Sequence, residues 1–300
     1  MDAVSDPGDH AAASSARISP TAHYTGYTWL AHGLSDPAFA TSTGRLLYRA
    51  LAPANRVLAA ARQPNLDGLL LARHRLIDAL LGQAIEAGEI GQVIEVACGL
   101  SPRGHRFSRA HGDRLTYIEA DLPGMAARKR EVLARAGGTT RHHRVVEIDA
   151  MADAGPRSIA GIAETLDPGR GTAIITEGLL NYFPVDAVIG MWGRFAAALA
   201  RFPRGRYLAD LHLGDDARPL ERVAARLLGA FVRGRIHFHF HHAGDAAAAL
   251  RAAGFDDARL RGPEDHQDLA GPVDVASARF VRIVDAAIDP SADEGSAAIA

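Results

Sequence analysis

The sequence has almost no cysteine. Cys98 is the single cysteine among 300 residues, which excludes an intrachain disulfide. The chain also lacks an apolar run of about 18 residues, the length that a membrane-spanning helix requires. Its first residues do not show the basic and then apolar pattern of a signal peptide. We therefore expect a cytoplasmic protein without a membrane partner.

An excess of charge of one sign is also missing. The formal net charge is -2 and the isoelectric point is near 6.7, so the chain has no positive field of the kind that attracts nucleic acid. Of its 33 cationic residues, only Lys129 is a lysine, and we attribute the many arginines to a GC-rich coding bias. We expect a small-molecule ligand and no nucleic-acid partner. The oligomeric state is not encoded in any pattern that we recognise.

A chain of this length with 48% hydrophobic composition can bury a sizeable core, and we expect one domain over residues 18–288. Within it, residues 18–90 would form an N-terminal lid and cap helices, and residues 91–288 the sheet core. Residues 1–17 and 289–300 are rich in small and polar residues without periodicity. We expect these two segments to be disordered tails.

The stretch around which the chain is organised runs from Val93 to Gly104. Its apolar run ends in small residues and then Gly and Pro, which predicts a buried parallel strand and a tight loop. Ala97 and Gly99 suit a turn at which backbone and ligand approach closely. Glu119 ends a second apolar run twenty residues beyond Gly99, the distance expected for a carboxylate that accepts ribose hydroxyls. These features predict a nucleoside ligand.

Neither phosphate-binding fingerprint is present in this loop. A dinucleotide site requires G-x-G-x-x-G, and a P-loop requires G-x-x-x-x-G-K-[ST], whereas Gly104 is followed here by His105 and Arg106. An adenosine without phosphate, as in S-adenosylmethionine, therefore fits better than NAD or ATP.

Strands and helices alternate after residue 92, which predicts right-handed βαβ units and a parallel sheet. Strands are expected at 92–97, 115–119, 144–148, 172–177 and 206–211. Helices are expected between Thr43 and Gly88 and at 122–136, 156–165, 185–201, 216–232 and 244–253. A weak strand at 256–261 and a clear one at 278–284 would form an antiparallel pair at the sheet edge. Asp121, two residues before Pro123, is expected to be a helix N-cap.

Four sequence blocks occur in the order found in one enzyme family. They are Ala72-Arg73, Val96-Ala97-Cys98-Gly99 with Arg106, Glu119-Ala120-Asp121-Leu122-Pro123 with Lys129, and Glu177-Gly178-Leu179-Leu180-Asn181-Tyr182-Phe183. Together they resemble leucine carboxyl methyltransferase-like enzymes over residues 18–285. Ile18–Tyr27 resembles the bacterial branch linked to O-methylation in polyketide biosynthesis. The resemblance implies an α/β, doubly wound, mostly parallel seven-stranded Rossmann-like sheet with an N-terminal helical cap. It also implies S-adenosylmethionine as cofactor and S-adenosylhomocysteine as product.

The resemblance also implies roles for single residues. Arg73 would bind the carboxylate of the methionine moiety. Asp149 and the backbone of Ala150 would recognise adenine, and Tyr182 would lie near the transferable methyl. Glu177 ends the fourth strand at the topological switch, where its charge would attract the ammonium and sulfonium groups. The complete expected cofactor set is Arg73, Glu95, Ala97, Cys98, Gly99, Arg106, Glu119, Ala120, Asp149, Ala150, Glu177, Gly178 and Tyr182.

The candidate catalytic residues come from two segments, and they are Tyr182, Asn181, His23, Tyr24 and Tyr27. The resemblance places the last three in a lid over the active site, where the tyrosines would line an acceptor pocket. The alternatives are that Asn181 caps a turn, that Tyr182 is ordinary core, and that the tyrosines, with Trp29, fasten the N-terminal segment to the core.

The histidines of His237-Phe238-His239-Phe240-His241-His242 allow three interpretations. On a strand, the first three would share one face, and histidines at this spacing can ligate zinc. No acid or cysteine follows at ligand spacing, and a methyltransferase needs no metal, so we predict no metal site. The other interpretations are a wall of the substrate pocket and ordinary packing.

Two positions depart from the family pattern. Ala97 and Ser101 stand where the leucine carboxyl enzymes carry Gly and Asp, so one methyl group is added to the loop and one charge is lost. Both changes bear on the affinity for the cofactor. They leave a non-catalytic adenosyl-ligand-binding protein as one alternative function. Lys129 matches the family, although a chance position on a helix surface is equally open.

The chemistry of the acceptor decides the expected reaction. A carboxylic acid is ionised at neutral pH and needs no general base, whereas a phenol needs one, for which His23, His212 and the histidine run are candidates. Because no acid–base dyad is evident, we predict carboxyl O-methylation of a small-molecule, polyketide-like acceptor by in-line displacement. A phenolic or alcoholic O-methyltransferase is the alternative, and an NAD oxidoreductase is disfavoured by the missing pyrophosphate loop.

Overall fold

Seven strands form one sheet in the computed structural model, which describes residues 20–214, 237–262, 265 and 274–289. The strands are β1 (Gln92–Val96), β2 (Thr116–Asp121), β3 (His143–Glu147), β4 (Thr172–Thr176), β5 (Gly205–Leu211), β6 (Asp257–Arg261) and β7 (Arg282–Ile288). Their order is β3-β2-β1-β4-β5-β7-β6, and β7 runs antiparallel to β5 and β6. The predicted doubly wound, mostly parallel fold is confirmed.

Helices flank this sheet. They are α1 (Pro20–Ala31), α2 (Ser42–Ala60), α3 (Leu66–Glu86), α4 (Arg103–His111), α5 (Pro123–Arg135), α6 (Ile159–Ala163), α7 (Val185–Leu199), α8 (Ala243–Ala252) and α9 (Val275–Ala278). Within the described ranges, no helix combines the length and the apolar character needed to cross a bilayer. The helix predicted at 216–232 and the predicted tails, apart from Asp289, lie outside the described residues.

The carboxyl ends of the central strands meet at one edge of the sheet. Val96 at the end of β1 pairs in register with Ala120 of β2 and Thr176 of β4. These strands are buried because helices cover both faces of the sheet: Leu76 of α3 lies in the core on one face and Trp192 of α7 in the core on the other. After β3 the chain returns past β1 to form β4, so the strand order switches between β1 and β4. A ligand crevice is expected at that switch.

Helix α1 is fastened across the loop that follows β1. Tyr24 is completely buried, and its hydroxyl donates to Asp67 Oδ1 at 2.5 Å and accepts from Asn55 Nδ2 at 2.7 Å. Gly26 lies so close to the loop that a Cβ there would be 3.4 Å from the Cβ of Leu100. The N-terminal helices therefore pack as a cap. Tyr24 has the fastening role that was the alternative to a lid.

The last strand begins later than predicted. Residues 275–278 form α9, and β7 starts at Arg282 instead of at residue 278. The reason is local, because Asp274 accepts hydrogen bonds from the Ala276 N–H and the Ser277 hydroxyl and so begins a helical turn. The predicted antiparallel pair of β6 and β7 is confirmed.

Candidate functional site

The loop after β1 has a backbone conformation that few residues adopt. Ala97 has φ 54° and Gly99 has φ 49°. In this left-handed region a residue with a Cβ costs on the order of 1–2 kcal/mol. Asp121 binds the loop through Oδ2, which accepts from the Gly99 N–H at 2.7 Å, while its Oδ1 accepts from the N–H of the next residue, Leu122, at 2.8 Å. Burial raises the pKa of Asp121, and these two hydrogen bonds oppose the rise.

Asp121, and not Glu119, is the acid at the end of β2. The strand continues two residues beyond its predicted end, so the prediction that Glu119 ends it is wrong. The prediction that Asp121 is the N-cap of α5 is also wrong, because Leu122 is the N-cap and makes no side-chain capping bond. The Asp121 carboxylate is instead held against the loop, where the ends of β1 and β2 meet.

Glu119 lies deeper, with no solvent exposure. Its Oε1 is 2.8 Å from Lys129 Nζ, and its Oε2 is 2.9 Å from His143 Nε2. Burial alone would raise the pKa of Glu119, but the charge of Lys129 and the bond to His143 hold it below its ordinary value. Glu119 is therefore a buried anion that already has partners within the chain.

Glu177 follows β4 at the switch in strand order and is bound by three side chains. Its Oε1 is 3.1 Å from Arg73 Nε, and its Oε2 is 2.8 Å from His74 Nδ1 and 2.6 Å from Arg103 Nη2. Burial favours the neutral acid, but attraction to His74, Arg103 and Arg73 holds the pKa of Glu177 well below its usual range. A fixed negative charge therefore lies at this end of the crevice.

Arg73 leaves one edge of its guanidinium available. Its Nη1 is 3.2 Å from Asp210 Oδ2, and Asp210 Oδ1 accepts from the Gly178 N–H at 2.6 Å. In the part of the chain that the structure describes, Arg73 Nη2 has no hydrogen-bond partner. It lies beside Gly178, whose φ is 68° and where a Cβ would be 3.0 Å from Nη2. Such an edge fits a carboxylate.

Sequence analysis did not identify Arg103, which is completely buried at the start of α4. Its Nε is 2.6 Å from Asp78 Oδ1, and its Nη1 is 2.6 Å from Glu95 Oε1. Glu95 also accepts from the Tyr117 hydroxyl at 2.8 Å. Glu95, which was predicted to contact the cofactor, is thus bound within the ionic network that surrounds Glu177.

Three further members of this network were also missed: His74, Asp78 and Asp210. Arg106, a predicted cofactor residue, binds His74 Nε2 at 3.0 Å and also pairs with Asp78. The sequence contains a signal for these residues, which is a polar residue within an otherwise apolar face of a helix or strand. When such a face is buried, the polar residue needs a hydrogen-bond partner. His74 and Asp78 interrupt the apolar face of α3, and Asp210 interrupts the apolar run of β5.

The residues predicted to recognise adenine follow β3, whose end lies beside that of β2. Asp149 is exposed, and its Oδ1 accepts from the Met151 N–H at 2.9 Å, while Ala150 is half-buried. Leu122 and Met151 expose 45% and 38% of their surface near these strand ends. Apolar side chains beside a carboxylate suit a flat heterocycle that carries an amino group. Cys98 and Ala120, also in the expected cofactor set, are buried at the same edge.

Asn181 connects two segments that are far apart in sequence. Its Nδ2 donates to the His237 carbonyl at 2.7 Å, and its own carbonyl accepts from the His237 N–H at 2.9 Å. Its Oδ1 accepts from the His212 N–H. These bonds give Asn181 a structural role that differs from the predicted alternative of a turn cap, because its partners lie 31 and 56 residues away. Tyr182, the next residue, exposes 42% of its surface, so it is not the ordinary core residue of the alternative.

The two remaining catalytic candidates, His23 and Tyr27, contact residues at the start of α2 and within it. His23 Nδ1 is 2.9 Å from Thr41 Oγ1, and the Tyr27 ring lies 5.3 Å from that of Tyr48. Residues 237–240 form no strand, so the shared strand face on which the zinc interpretation depended is absent. The described residues contain no group of three side chains that could hold a metal ion. His239 Nε2 donates to the Phe183 carbonyl, 2.6 Å away.

The chain matches the family model for leucine carboxyl methyltransferase over residues 27–193, more than half of its length. Curated relatives bear the name "Putative S-adenosyl-L-methionine-dependent methyltransferase". One from Mycobacteroides abscessus is 38% identical over 39% of this chain and 37% of its own length. One from Mycolicibacterium smegmatis is 35% identical over 54% of this chain and 54% of its own. The chain thus matches about two fifths to one half of these relatives.

Two solved structures share the fold. A "putative methyltransferase" from Thermobifida fusca has a TM-score of 0.60 at 15% identity, covering 89% of this chain and 94% of its own. A DUF574 family protein from Streptomyces avermitilis has a TM-score of 0.59 at 16% identity, covering 92% and 98%. At these identities the likeness supports the fold alone, and the family assignment depends on the match to the family model. The chain belongs to the leucine carboxyl methyltransferase family.

Proposed function

We propose that this protein is an S-adenosylmethionine-dependent O-methyltransferase. The observation that carries the proposal is a crevice edge with two unlike ends. At one end, Asp121 and the Gly99 loop offer a carboxylate and close backbone, which suit a ribose. At the other end, the open edge of Arg73 beside Glu177 suits the zwitterionic end of an amino acid. The family match supports the same ligand.

The charges of the chain would orient this ligand. Arg73 Nη2 binds the carboxylate of the methionine moiety, while Glu177 and Asp210 hold the guanidinium in place. The two acids also attract the ammonium and the sulfonium. When bound, the cofactor supplies a methyl group on a positively charged sulfur. Tyr182 would border the space that the acceptor enters. Alignment of the acceptor with the methyl group and the sulfur would provide much of the rate acceleration.

The acceptor that we propose is a carboxylate of a small, polyketide-like molecule. A carboxylic acid has an ordinary pKa of about 4, so it is ionised at neutral pH and needs no general base. Two of the predicted bases each have one ring nitrogen in a hydrogen bond and keep the other, so these bonds do not exclude either histidine as a base. His23 Nδ1 is bound to Thr41, and His212 Nδ1 lies 3.1 Å from the Phe280 carbonyl. Methyl transfer to a carboxylate requires neither of them.

A phenolic acceptor is the second candidate, because His239 has the properties of a base. Its Nε2 must carry the proton that it donates to the Phe183 carbonyl, so Nδ1 carries the lone pair. Nδ1 is buried without a partner among the described residues, and burial lowers the pKa of His239. A neutral imidazole of this kind could take the proton of a phenol.

Calorimetric titration with S-adenosylhomocysteine, S-adenosylmethionine and NAD tests the cofactor. We expect both sulfur ligands to bind and NAD to give no signal. Asp121→Asn keeps the shape of the side chain but removes its charge, so binding should weaken by about tenfold or more through the loss of a charge-assisted bond. The control is Asp113→Asn, in the 3-10 turn that precedes β2, which should leave affinity unchanged. Equal affinities for the two variants would contradict the assignment of Asp121.

Methyl-labelled S-adenosylmethionine tests the acceptor, with carboxylic acids and phenols of equal size as substrates. A carboxylate acceptor gives an ester that base hydrolyses, and the rate should not depend on a group that titrates near neutral pH. A base-stable ether, with a rate that falls as His239 becomes protonated, would establish the phenolic alternative. Cofactor binding without transfer to any acceptor in the panel would favour the non-catalytic binding protein.

A further inference from the structure

Lys129, the single lysine, is fully buried, and its ammonium group meets three oxygens. Nζ lies 2.8 Å from Glu119 Oε1, 2.5 Å from the Ser101 carbonyl and 3.3 Å from the Gly99 carbonyl. An ammonium group is costly to remove from water unless its charge is paired and its donors are bonded. Here the charge is paired with Glu119, and two backbone carbonyls accept hydrogen bonds from the ammonium group. The alternative of a chance lysine on a helix surface is wrong.

Two of these oxygens belong to the loop after β1. Lys129 binds the Gly99 carbonyl, and Asp121 binds the Gly99 N–H, so that both polar groups of this residue are held from β2 and α5. The Ser101 carbonyl, bound more closely, fixes the loop two residues later. The loop passes through two left-handed residues and has few regular backbone bonds of its own. Its shape therefore depends on side chains from outside it.

The counter-charge of Lys129 is itself immobilised. Glu119 Oε2 is bound to His143 Nε2. Gly104, in the first turn of α4, lies so close that a Cβ there would be 2.6 Å from the Glu119 carboxyl group. The ring of Phe39 lies 5.6 Å from Nζ on another side. These contacts confine the ammonium group to one position. A side chain that fixes the position of a loop must itself be fixed in this way.

We infer that Lys129 is a positioning residue that sets the conformation of the cofactor loop through the carbonyls of Gly99 and Ser101. Its link to the cofactor rests on the proposed function, whereas its hold on the loop does not. A buried ion pair that only supports the core affects the stability of the protein, wherever in the core it lies. A positioning residue must also change the behaviour of the loop that it touches.

Cys98 provides a direct measure of that behaviour, because the single thiol lies buried in the same loop. It can react with an aromatic disulfide reagent only when the loop opens. Burial raises the pKa of this thiol and the charge of Lys129 lowers it. Removal of Lys129 would therefore slow the chemical step by itself. A faster reaction in a Lys129 variant can report only more frequent opening.

The experiment compares Lys129→Met, the paired variant Lys129→Met/Glu119→Gln and the control Leu250→Ala with the wild type. The paired variant leaves no unpaired buried charge and guards against failure to fold. Leu250 is fully buried in α8, so its truncation lowers stability without touching the loop. Urea midpoints, Cys98 reaction rates and affinities for S-adenosylhomocysteine are measured for each protein.

Rates are compared at urea concentrations equally far below each protein's unfolding midpoint. There we expect Cys98 of the Lys129 variants to react at least about tenfold faster than Cys98 of Leu250→Ala. The same variants should bind S-adenosylhomocysteine about tenfold more weakly, because charge-assisted bonds to the loop are lost. Equal Cys98 rates would overturn the inference, and so would faster rates with unchanged affinity. If the wild type binds no adenosyl ligand, the proposed function fails, and the Cys98 rates alone decide whether Lys129 sets the loop.

Discussion

Replacement of Arg73 by methionine is expected to weaken binding of S-adenosylhomocysteine by about 10- to 100-fold, the effect of losing a charge-assisted bond between guanidinium and carboxylate. The fold should survive, because Glu177 keeps His74 and Arg103 as partners, and Asp210 still accepts from the Gly178 N–H. Calorimetric titration gives the affinity. In steady-state kinetics the loss should appear in KM for the cofactor more than in kcat, since the ground state and the transition state share this contact.

Two variants separate this role from general loss of a buried arginine. Arg73→Lys retains a point charge without the planar fork, so its affinity should fall between those of the wild type and Arg73→Met. Arg206→Met removes a partly buried arginine whose Nε and Nη2 bind Asp285 at 2.8 and 3.0 Å, at the far end of β5. Affinity should be unchanged in that control. If Arg206→Met weakened binding as much as Arg73→Met, Arg73 would have no specific role at the ligand.

The sheet was predictable because buried parallel strands have an unambiguous pattern. The run Val93 to Val96 is apolar apart from one acid, and the observed β1 differs by a single residue from its predicted range. The same holds for β4, which is buried along its whole length. The error at β7 arose because Ala278 to Val281 alternate like a strand, whereas the Phe280 and Val281 N–H groups donate to the Ser277 and Ala278 carbonyls and hold these residues in a turn.

The ligand-facing residues were less predictable, since they depend on where a strand ends. Glu119 and Asp121 are both acids on β2 and point to the same side, so a shift of two residues exchanges a buried ion pair for a carboxylate at the crevice. Periodicity does not resolve such a shift. The position of Gly99 relative to Asp121, which settles it, is a contact between residues 22 positions apart.

The ionic network was hidden for a different reason. In a chain whose cationic residues are nearly all arginine, composition does not distinguish a buried guanidinium from an exposed one. Arg103 binds partners from α3, β1 and the end of β4, which lie up to 74 residues from it in the sequence. Only the fold brings them together. The partners of Lys129 are likewise brought together only by the fold. The sequence shows that it is the single lysine, but not that it binds two backbone carbonyls.

Replacement of Arg103 by methionine is expected to destabilise the protein by about 3–5 kcal/mol, the usual cost of breaking a buried ionic contact from one side. Arg103 is fully buried and neutralises Asp78, Glu95 and Glu177 together. Glu95 would be left with the Tyr117 hydroxyl as its partner among the described residues. Urea denaturation at neutral pH measures the loss. Arg141→Met, which removes an exposed ion pair with Asp113, should change the free energy of unfolding by less than about 1 kcal/mol.

The pH dependence of the stability of this variant should be shallower than that of the wild type. In the wild type, the pKa values of Glu177 and Asp78 are held below their ordinary range, so the folded state binds fewer protons than the unfolded state. This stabilisation is present above the ordinary carboxyl pKa of about 4 and is lost as the pH falls below it. In Arg103→Met, Glu177 keeps Arg73 and Asp78 keeps Arg106, but each acid loses one positive neighbour, so both pKa values move back towards the ordinary carboxyl range. The loss of stability between about pH 5 and about pH 3 should therefore be smaller than in the wild type. A variant that loses as much stability as the wild type over that interval would show that Arg103 does not neutralise the acids around it.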